Sequence, residues 1–359
     1  MTQQLPDHLA RLIRQDVQSM QAYAVQDATG LLKLDAMENP YGLPPALQAE
    51  LGRRLGALPL NRYPGERVHA LADALAAHAK LPEGCALMLG NGSDELISLI
   101  AMACDVPGAS ILAPQPGFVM YAMSAQLQGL RFIGVDLTPE FDLDEAAMLA
   151  AIEEHRPSVI YLAYPNNPTA RLWDDAVIER IVQAAPGLVV IDEAYQPFSS
   201  RSYIDRLPRH PHVLLMRTLS KFGLAGVRIG YLAGAQALIA QIDKVRPPYN
   251  VSVLNAEAGL FALEHAQEYE AQAARIREER GRLLEALSRM AGVRTWPSDA
   301  NMILVRVPDA DAVFRGMKQR GVLVKNVSRL HPLLANCLRL TVGTPDDNAQ
   351  MLRALQECL

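Results

Sequence analysis

Cysteine is scarce in this 359-residue chain: Cys85, Cys104, Cys337 and Cys358 are the only four, scattered without Cys-x-x-Cys or Cys/His spacing. That pattern suggests neither a zinc site nor a disulfide framework, and no metal is expected. A membrane-length apolar run is also missing, and the N-terminal MTQQLPDHLARLIRQD is polar and amphipathic, without the apolar centre of a secretory signal. A cytoplasmic location is the resulting expectation. Positive charge is not in excess: 34 Lys and Arg stand against 39 Asp and Glu, a net charge of −5, with no long basic run. The electrostatic footprint of a nucleic-acid or anionic-membrane binder is therefore absent. Internal repeats and low-complexity segments are absent too.

What is present is a globular composition. Half the residues are hydrophobic and 20% are charged, with a mean hydropathy close to zero, so burying a large core poses no difficulty. The length exceeds what one core usually serves, which implies two lobes or a large α/β domain with an appendage. From about residue 66, helix-period segments alternate with short runs rich in Val, Ile and Leu. The helical segments include 66–80, 144–155 and 174–185. The strand-like runs include 85–89, 158–164, 188–191, 213–216 and 228–233. This alternation predicts an α/β fold with a largely parallel sheet. Residues 255–290 read as one long or broken helical stretch, and short strands such as 302–305 and 337–342 then alternate with helices, marking a second lobe. The loop-rich first forty residues are expected to pack on that lobe or to bridge the two.

In open parallel sheets ligands lie beyond the carboxyl ends of the strands, so polar residues that directly follow apolar runs are the candidates. Four junctions qualify. Gly90-Asn91-Gly92-Ser93-Asp94-Glu95 precedes an apolar, helical stretch. Strand, glycine turn and helix N-terminus make either a phosphate cup or a simple turn with an N-cap. Tyr164-Pro165-Asn166-Asn167-Pro168-Thr169 is a loop stiffened by two prolines, fit to aim an amide at a ligand or to serve as a structural turn. Asp192 ends the run 188–191, where a carboxylate is costly unless it meets a cation; capping a helix or binding a metal are the other readings. Lys221 follows the run 213–216, flanked by hydroxyls and trailed by glycines and Arg228 in an otherwise apolar segment. Most lysines are solvated surface residues. One placed like this can have its pKa lowered, which makes it nucleophilic towards an aldehyde.

Together these residues resemble the fold-type I pyridoxal 5'-phosphate (PLP) aminotransferases and, within them, the histidinol-phosphate aminotransferase family. Seven motifs stand in that family's order along essentially the whole chain: ENPYG at 38–42, RYPG at 62–65, GNGSDE at 90–95, YPNNPT at 164–169, DEAY at 192–195, TLSKFGLAGVRIGY at 218–231 and LRLTVGTPDDN at 338–348. The resemblance implies a large PLP-binding domain (49–270) with a mainly parallel seven-stranded sheet. It also implies a smaller α/β domain from both termini: 271–359, with 1–48 packing on it.

Carried over position by position, the resemblance assigns Lys221 to the Schiff base with PLP and Asp192 to the pyridine nitrogen. Asn167 and Tyr195 go to the phenolic oxygen, and Phe118 to stacking on the ring. Ser93, Asp94, Thr218, Ser220 and Arg228 go to the phosphate, with Tyr63 reaching it from the other subunit of a homodimer. Lys221, Asp192 and Tyr195 are the catalytic set. Substrate contacts fall to Tyr23, Asn39 and Arg339. Where many relatives carry a second arginine, this chain has Lys325, with Arg329 four residues on, so the substrate phosphate is expected at one or both of these. The implied reaction is a ping-pong transamination of L-histidinol phosphate with 2-oxoglutarate in histidine biosynthesis. Two other reactions are compatible with the cofactor residues: a broader aromatic amino-acid aminotransferase, since Arg339 accepts any α-carboxylate, and a lyase similar to threonine-phosphate decarboxylase.

Overall fold

The computed structural model describes residues 6–20 and 26–359. The chain divides into two units, Met1–Gly30 and Leu31–Leu359. Of the first unit, two short helices are described, Asp7–Ala10 and Gln15–Ser19. Among the described residues the second unit holds the strands: β1 Leu32–Lys33, β2 Cys85–Gly90, β3 Ser110–Gln115, β4 Arg131–Asp136, β5 Val159–Ala163, β6 Leu188–Asp192, β7 Val213–Thr218, β8 Gly230–Ala235, β9 Arg294–Thr295, β10 Met302–Arg306, β11 Val322–Leu323, β12 Lys325–Asn326 and β13 Cys337–Thr341.

Seven of them form one sheet in the order β2-β8-β7-β6-β5-β3-β4. The neighbours from β7 through β4 are parallel, while β8 runs antiparallel to both β7 and β2. Two reversals cancel, so β2 points the same way as β7 and delivers its carboxyl end to the same edge. β5 and β6 read as near-continuous apolar runs because both faces of the sheet are covered. Side chains alternate between faces: Ile160, Leu162, Val189 and Ile191 pack with Leu71, Leu75, Ile152 and Ile178 on one side. Val159, Tyr161 and Val190 pack with Leu96, Ile97, Tyr121 and Ile239 on the other.

A second, antiparallel sheet, β12-β13-β10-β9, shares its core with the helices Ala266–Ser288, Ala310–Gln319 and Pro345–Gln356. β1 pairs in parallel with β11, Leu32 opposite Val322, which joins residues near the start of this unit to its C-terminal part.

The boundaries differ from the sequence reading in ways the backbone explains. Asp144 and Asp174 are N-caps, accepting hydrogen bonds from the amides of Ala147 (3.0 Å) and Ala176 (2.6 Å), so their helices begin one residue later. Lys80 ends its helix in the left-handed conformation (φ 53°). The stretch 255–290 is two helices, Val253–Glu264 and Ala266–Ser288, broken at His265. Arg228 is not in a strand: it takes a left-handed turn (φ 56°) two residues before β8 begins.

Candidate active site

The carboxyl ends of β2, β5, β6 and β7 surround a cavity of about 360 Å³, which ten of the eleven residues expected at the cofactor line: Ser93, Asp94, Phe118, Asn167, Asp192, Tyr195, Thr218, Ser220, Lys221 and Arg228. Each arrives by a short chain of local causes. β2 ends in Gly90 and a glycine turn that opens the helix Ser93–Ala103, whose N-cap, Gly92, makes no side-chain cap hydrogen bond. The first N–H groups of that helix are therefore available to an anion. Gly92 sits at φ +83°, and a Cβ on it would come within 2.6 Å of the Arg228 guanidinium. Gly230 at the start of β8 is equally constrained: a Cβ there would lie 2.8 Å from backbone atoms of Gly92 and Ser93. The two glycines let strand, turn and guanidinium converge.

Thr218 ends β7, donates to the Ile229 carbonyl (3.1 Å) and accepts from the Ser220 amide (3.1 Å), turning the chain so that the Ser220 hydroxyl faces Arg228 (3.5 Å). Arg228 also lies 3.5 Å from the Asp94 carboxylate. Backbone N–H groups, two hydroxyls and a guanidinium together form a cup for a phosphate-like anion.

Next to the cup stands Lys221. Its Nζ donates to the Ala36 carbonyl (3.0 Å) and lies 6.0 Å from the centre of the Tyr195 ring. Burial, then the charges of Arg339 and Arg228, lower its pKa from 10.5 to about 8, against the opposing pull of Glu38 and Asp94. A useful fraction of neutral amine thus exists near neutral pH, as a nucleophile or a base requires. Asp192 is only 4% exposed. Burial pushes its pKa up to about 6, although the Tyr121 hydroxyl (2.6 Å) and the Ala194 amide (3.0 Å) both stabilise the carboxylate. Such a group is a ready partner for a cationic ring nitrogen. Burial likewise raises the Tyr195 phenol, opposed by Arg339, so it stays a neutral hydrogen-bond donor.

Arg339 does not itself line this cavity: it is buried, with its guanidinium on the side-chain oxygen of Asn167, which does (2.7 Å), and on the Asp35 carbonyl (2.6 Å). Lys325 pairs directly opposite it across β12 and β13, which puts both side chains on one face of the sheet. Arg329 points elsewhere: its side chain is 84% exposed and bound to Asp311 (2.7 Å). The Asn39 side chain is occupied by protein, donating to Gln272 (2.9 Å) and accepting from the Tyr41 amide (2.9 Å). It lines an adjoining polar cavity of about 500 Å³ that shares Glu38, Ala225 and Gly226 with the first. Tyr63 is outside the cavity within one chain, 75% exposed and stacked on Tyr249 at 4.2 Å. Tyr23 lies outside the described residues.

Two participants escaped the sequence reading. Tyr121, three residues after Phe118 and thus one helical turn on, lines the cavity and bonds Asp192. The segment Asp35–Ala36 offers its carbonyls to Arg339 and Lys221, and backbone groups carry no sequence signal. Among the described residues, no group of acidic, His or Cys side chains could hold a metal ion, and no helix is long and apolar enough to cross a membrane.

Comparison with known proteins gives the family. The family model described as aminotransferase class I and II matches residues 29–355. Curated relatives called histidinol-phosphate aminotransferase include those of Methylibium petroleiphilum, 72% identical over 99% of this chain and 96% of the relative, and Polaromonas naphthalenivorans, 69% identical over 99% and 98%. Among solved structures, the histidinol-phosphate aminotransferase of Sinorhizobium meliloti in complex with pyridoxal-5'-phosphate superposes with a TM-score of 0.85 at 24% identity, covering 96% of this chain and 97% of that one. The chain belongs to the class I and II aminotransferases and, within them, to the histidinol-phosphate aminotransferase family.

Proposed function

We propose that this chain is a PLP-dependent transaminase that converts L-histidinol phosphate and 2-oxoglutarate to 3-(imidazol-4-yl)-2-oxopropyl phosphate and glutamate, acting as a cytoplasmic homodimer in histidine biosynthesis. The residues present fit the cofactor: a phosphate cup at Gly92–Ser93, Ser220 and Arg228, an aromatic wall at Phe118, a buried carboxylate at Asp192, and an amine at Lys221 share one cavity. When bound, the cofactor supplies an aldehyde carbon to receive an amino group and a protonated ring to accept the electron pair left at the substrate Cα.

The protein's own groups do the rest. Lys221 would hold the cofactor through its aldehyde carbon, the one amine among the described residues of the cavity placed to do so. Its Nζ, with a pKa near 8, is basic enough to take up the substrate Cα proton and acidic enough to give it back. Asp192 would hold a proton on the ring nitrogen, and Tyr195 and the Asn167 amide would donate to the phenolic oxygen. Arg339 pairs bidentately with the carboxylate of glutamate or, with Lys325 beside it, the phosphate of histidinol phosphate. Arg329 has no part, being held outward by Asp311. We assign Tyr63 to the partner subunit's phosphate cup, a reading that its exposure supports.

The observation that carries the substrate is the 72% identity over nearly the whole length to a relative called histidinol-phosphate aminotransferase. The test is a half-reaction on purified holoenzyme with L-histidinol phosphate, glutamate, phenylalanine or threonine phosphate added separately. Conversion of the cofactor absorbance to that of pyridoxamine phosphate is expected with the first two. Conversion chiefly with phenylalanine, or carbon dioxide release from threonine phosphate, would overturn the substrate and leave fold and cofactor standing.

A further inference from the structure

Asp192 is surrounded from several elements: Tyr121 on the helix Val119–Gln128, Tyr161 on β5, Asp94 on the helix Ser93–Ala103, and Glu193 and Tyr195 beside it in the chain. Most of these offer it no hydrogen bond. Asp94 and Glu193 are like charges, which disfavour its anion, and Glu193 is itself tied to Arg217, Ser202 and the Tyr203 amide. The Tyr161 hydroxyl is turned to the Ile97 carbonyl (3.5 Å). Only two donors reach the carboxylate among the described residues: the Ala194 amide on Oδ1 (3.0 Å) and the Tyr121 hydroxyl on Oδ2 (2.6 Å). The amide cannot vary with sequence. The hydroxyl can.

Tyr121 is also a rigid donor. It is 2% exposed, and its ring lies flat on Tyr161 (centroids 4.3 Å apart, 11° between planes) and meets the edge of Phe118 (5.6 Å, 84°). Its hydroxyl cannot swing away without breaking both ring contacts. With one lone pair on Oδ2 and one on Oδ1 engaged, the carboxylate keeps one further acceptor site on each oxygen for an N–H within the cavity.

We propose that Tyr121 is a positioning residue for the transamination assigned above: by donating to Asp192 Oδ2 it sets where that carboxylate points and how firmly it keeps a proton on the cofactor's ring nitrogen. The inference rests on that reading of the cofactor, and its own content is the hydroxyl. A hydrogen bond to the ionised carboxylate favours the form that can pair with a pyridinium. Without it, the buried Asp192 takes up a proton more readily, and cofactor binding must first expel that proton.

The test is a titration of cofactor-free protein with PLP across a range of pH, comparing wild type with Tyr121→Phe, which keeps the ring and its stacking. Asp192 must be ionised to pair with a pyridinium, so below the Lys221 transition near 8 wild-type affinity falls a second time as pH drops through about 6. In Tyr121→Phe that midpoint moves to higher pH, and the dissociation constant at neutral pH rises by about tenfold or more, the range of a hydrogen bond to a charged group. The ring ¹⁵N resonance of labelled cofactor shifts from the pyridinium towards the neutral position. Tyr161→Phe, whose hydroxyl faces Ile97, leaves the midpoint in place. In an Asp192→Asn background, adding Tyr121→Phe changes neither readout, since the two act as one unit.

An unmoved midpoint in Tyr121→Phe, or an equal loss in the Asp192→Asn background, overturns the proposal. Should Tyr121→Phe not fold, 3-fluorotyrosine at position 121 makes the hydroxyl a stronger donor, and the midpoint then moves to lower pH; no movement counts against the proposal. Failure of the underlying reading is distinct, because then the wild-type protein itself does not bind PLP.

Discussion

Lys325 and Arg329 show how far one residue's neighbourhood decides its chemistry. Both are cations upstream of the motif strand, and the sequence reading left the substrate phosphate to one or both of them, with Lys325 at the position where many relatives carry a second arginine. Antiparallel pairing sets Lys325 opposite Arg339 on one face, whereas Arg329 spends its charge on Asp311 in the open, where an ion pair contributes little. Lys325→Ala is therefore expected to raise the Michaelis constant for histidinol phosphate by roughly tenfold or more, the worth of a charge-assisted hydrogen bond, with a smaller effect on glutamate. Arg329→Ala leaves both substrates nearly unchanged. Steady-state kinetics on the two substrates checks this; a loss confined to Arg329→Ala would reverse the assignment. Lys221 and Asp192 are the opposite case. Asp192 directly follows an apolar strand run and Lys221 stands a few residues past another, flanked by hydroxyls and trailed by glycines and Arg228; those local signals singled them out.

At the level of elements, the site depends on the ends of β6, β7 and β8 staying in register. Glu193 follows Asp192 at the end of β6 and is buried against Arg217 of β7 (2.8 Å), which also reaches Tyr231 of β8 (3.3 Å) and Ser202 (2.9 Å). Removing one partner strands the other as an unpaired buried charge, at a cost of about 3–5 kcal/mol. Arg217→Met is accordingly expected to lower the urea midpoint of the cofactor-free protein strongly, and Arg217→Met combined with Glu193→Gln to recover a large part of the loss. A double variant no more stable than the single one would show that the pair is not coupled in this way. The glycines act at the same scale. Gly230 permits the approach of the phosphate turn to β8, a requirement that its place in a motif hinted at but that only the close approach to Gly92 and Ser93 explains.

At the scale of the whole molecule, the proposed homodimer makes a prediction of its own. Tyr63 and Leu60 stand 75% and 65% exposed, while the cup that Tyr63 is proposed to serve is built by other residues of the same chain. If it acts across a two-fold interface, mixing Tyr63→Ala and Lys221→Ala subunits produces heterodimers with one intact site. An equimolar mixture of two inactive proteins should then regain about a quarter of the wild-type activity by random pairing. Sedimentation velocity establishes that dimers form. Dimers without recovered activity would place Tyr63 in its own subunit's site.

The alternation of apolar strands and helices, and the polar residue ending each strand, were enough by themselves to determine an α/β chain with its chemistry at one edge of the sheet. Those signals are local, because a strand buried on both faces must be apolar and a ligand site must be polar where the strand stops. Tertiary structure alone decided the rest: that β8 reverses so β2 ends at the same edge, that Arg228 leaves the strand for a left-handed turn, that Tyr121 meets Asp192, and that Lys325 rather than Arg329 stands beside Arg339. Each of these depends on strand pairing or packing between segments distant in the chain, and spacing along the sequence does not encode such distances.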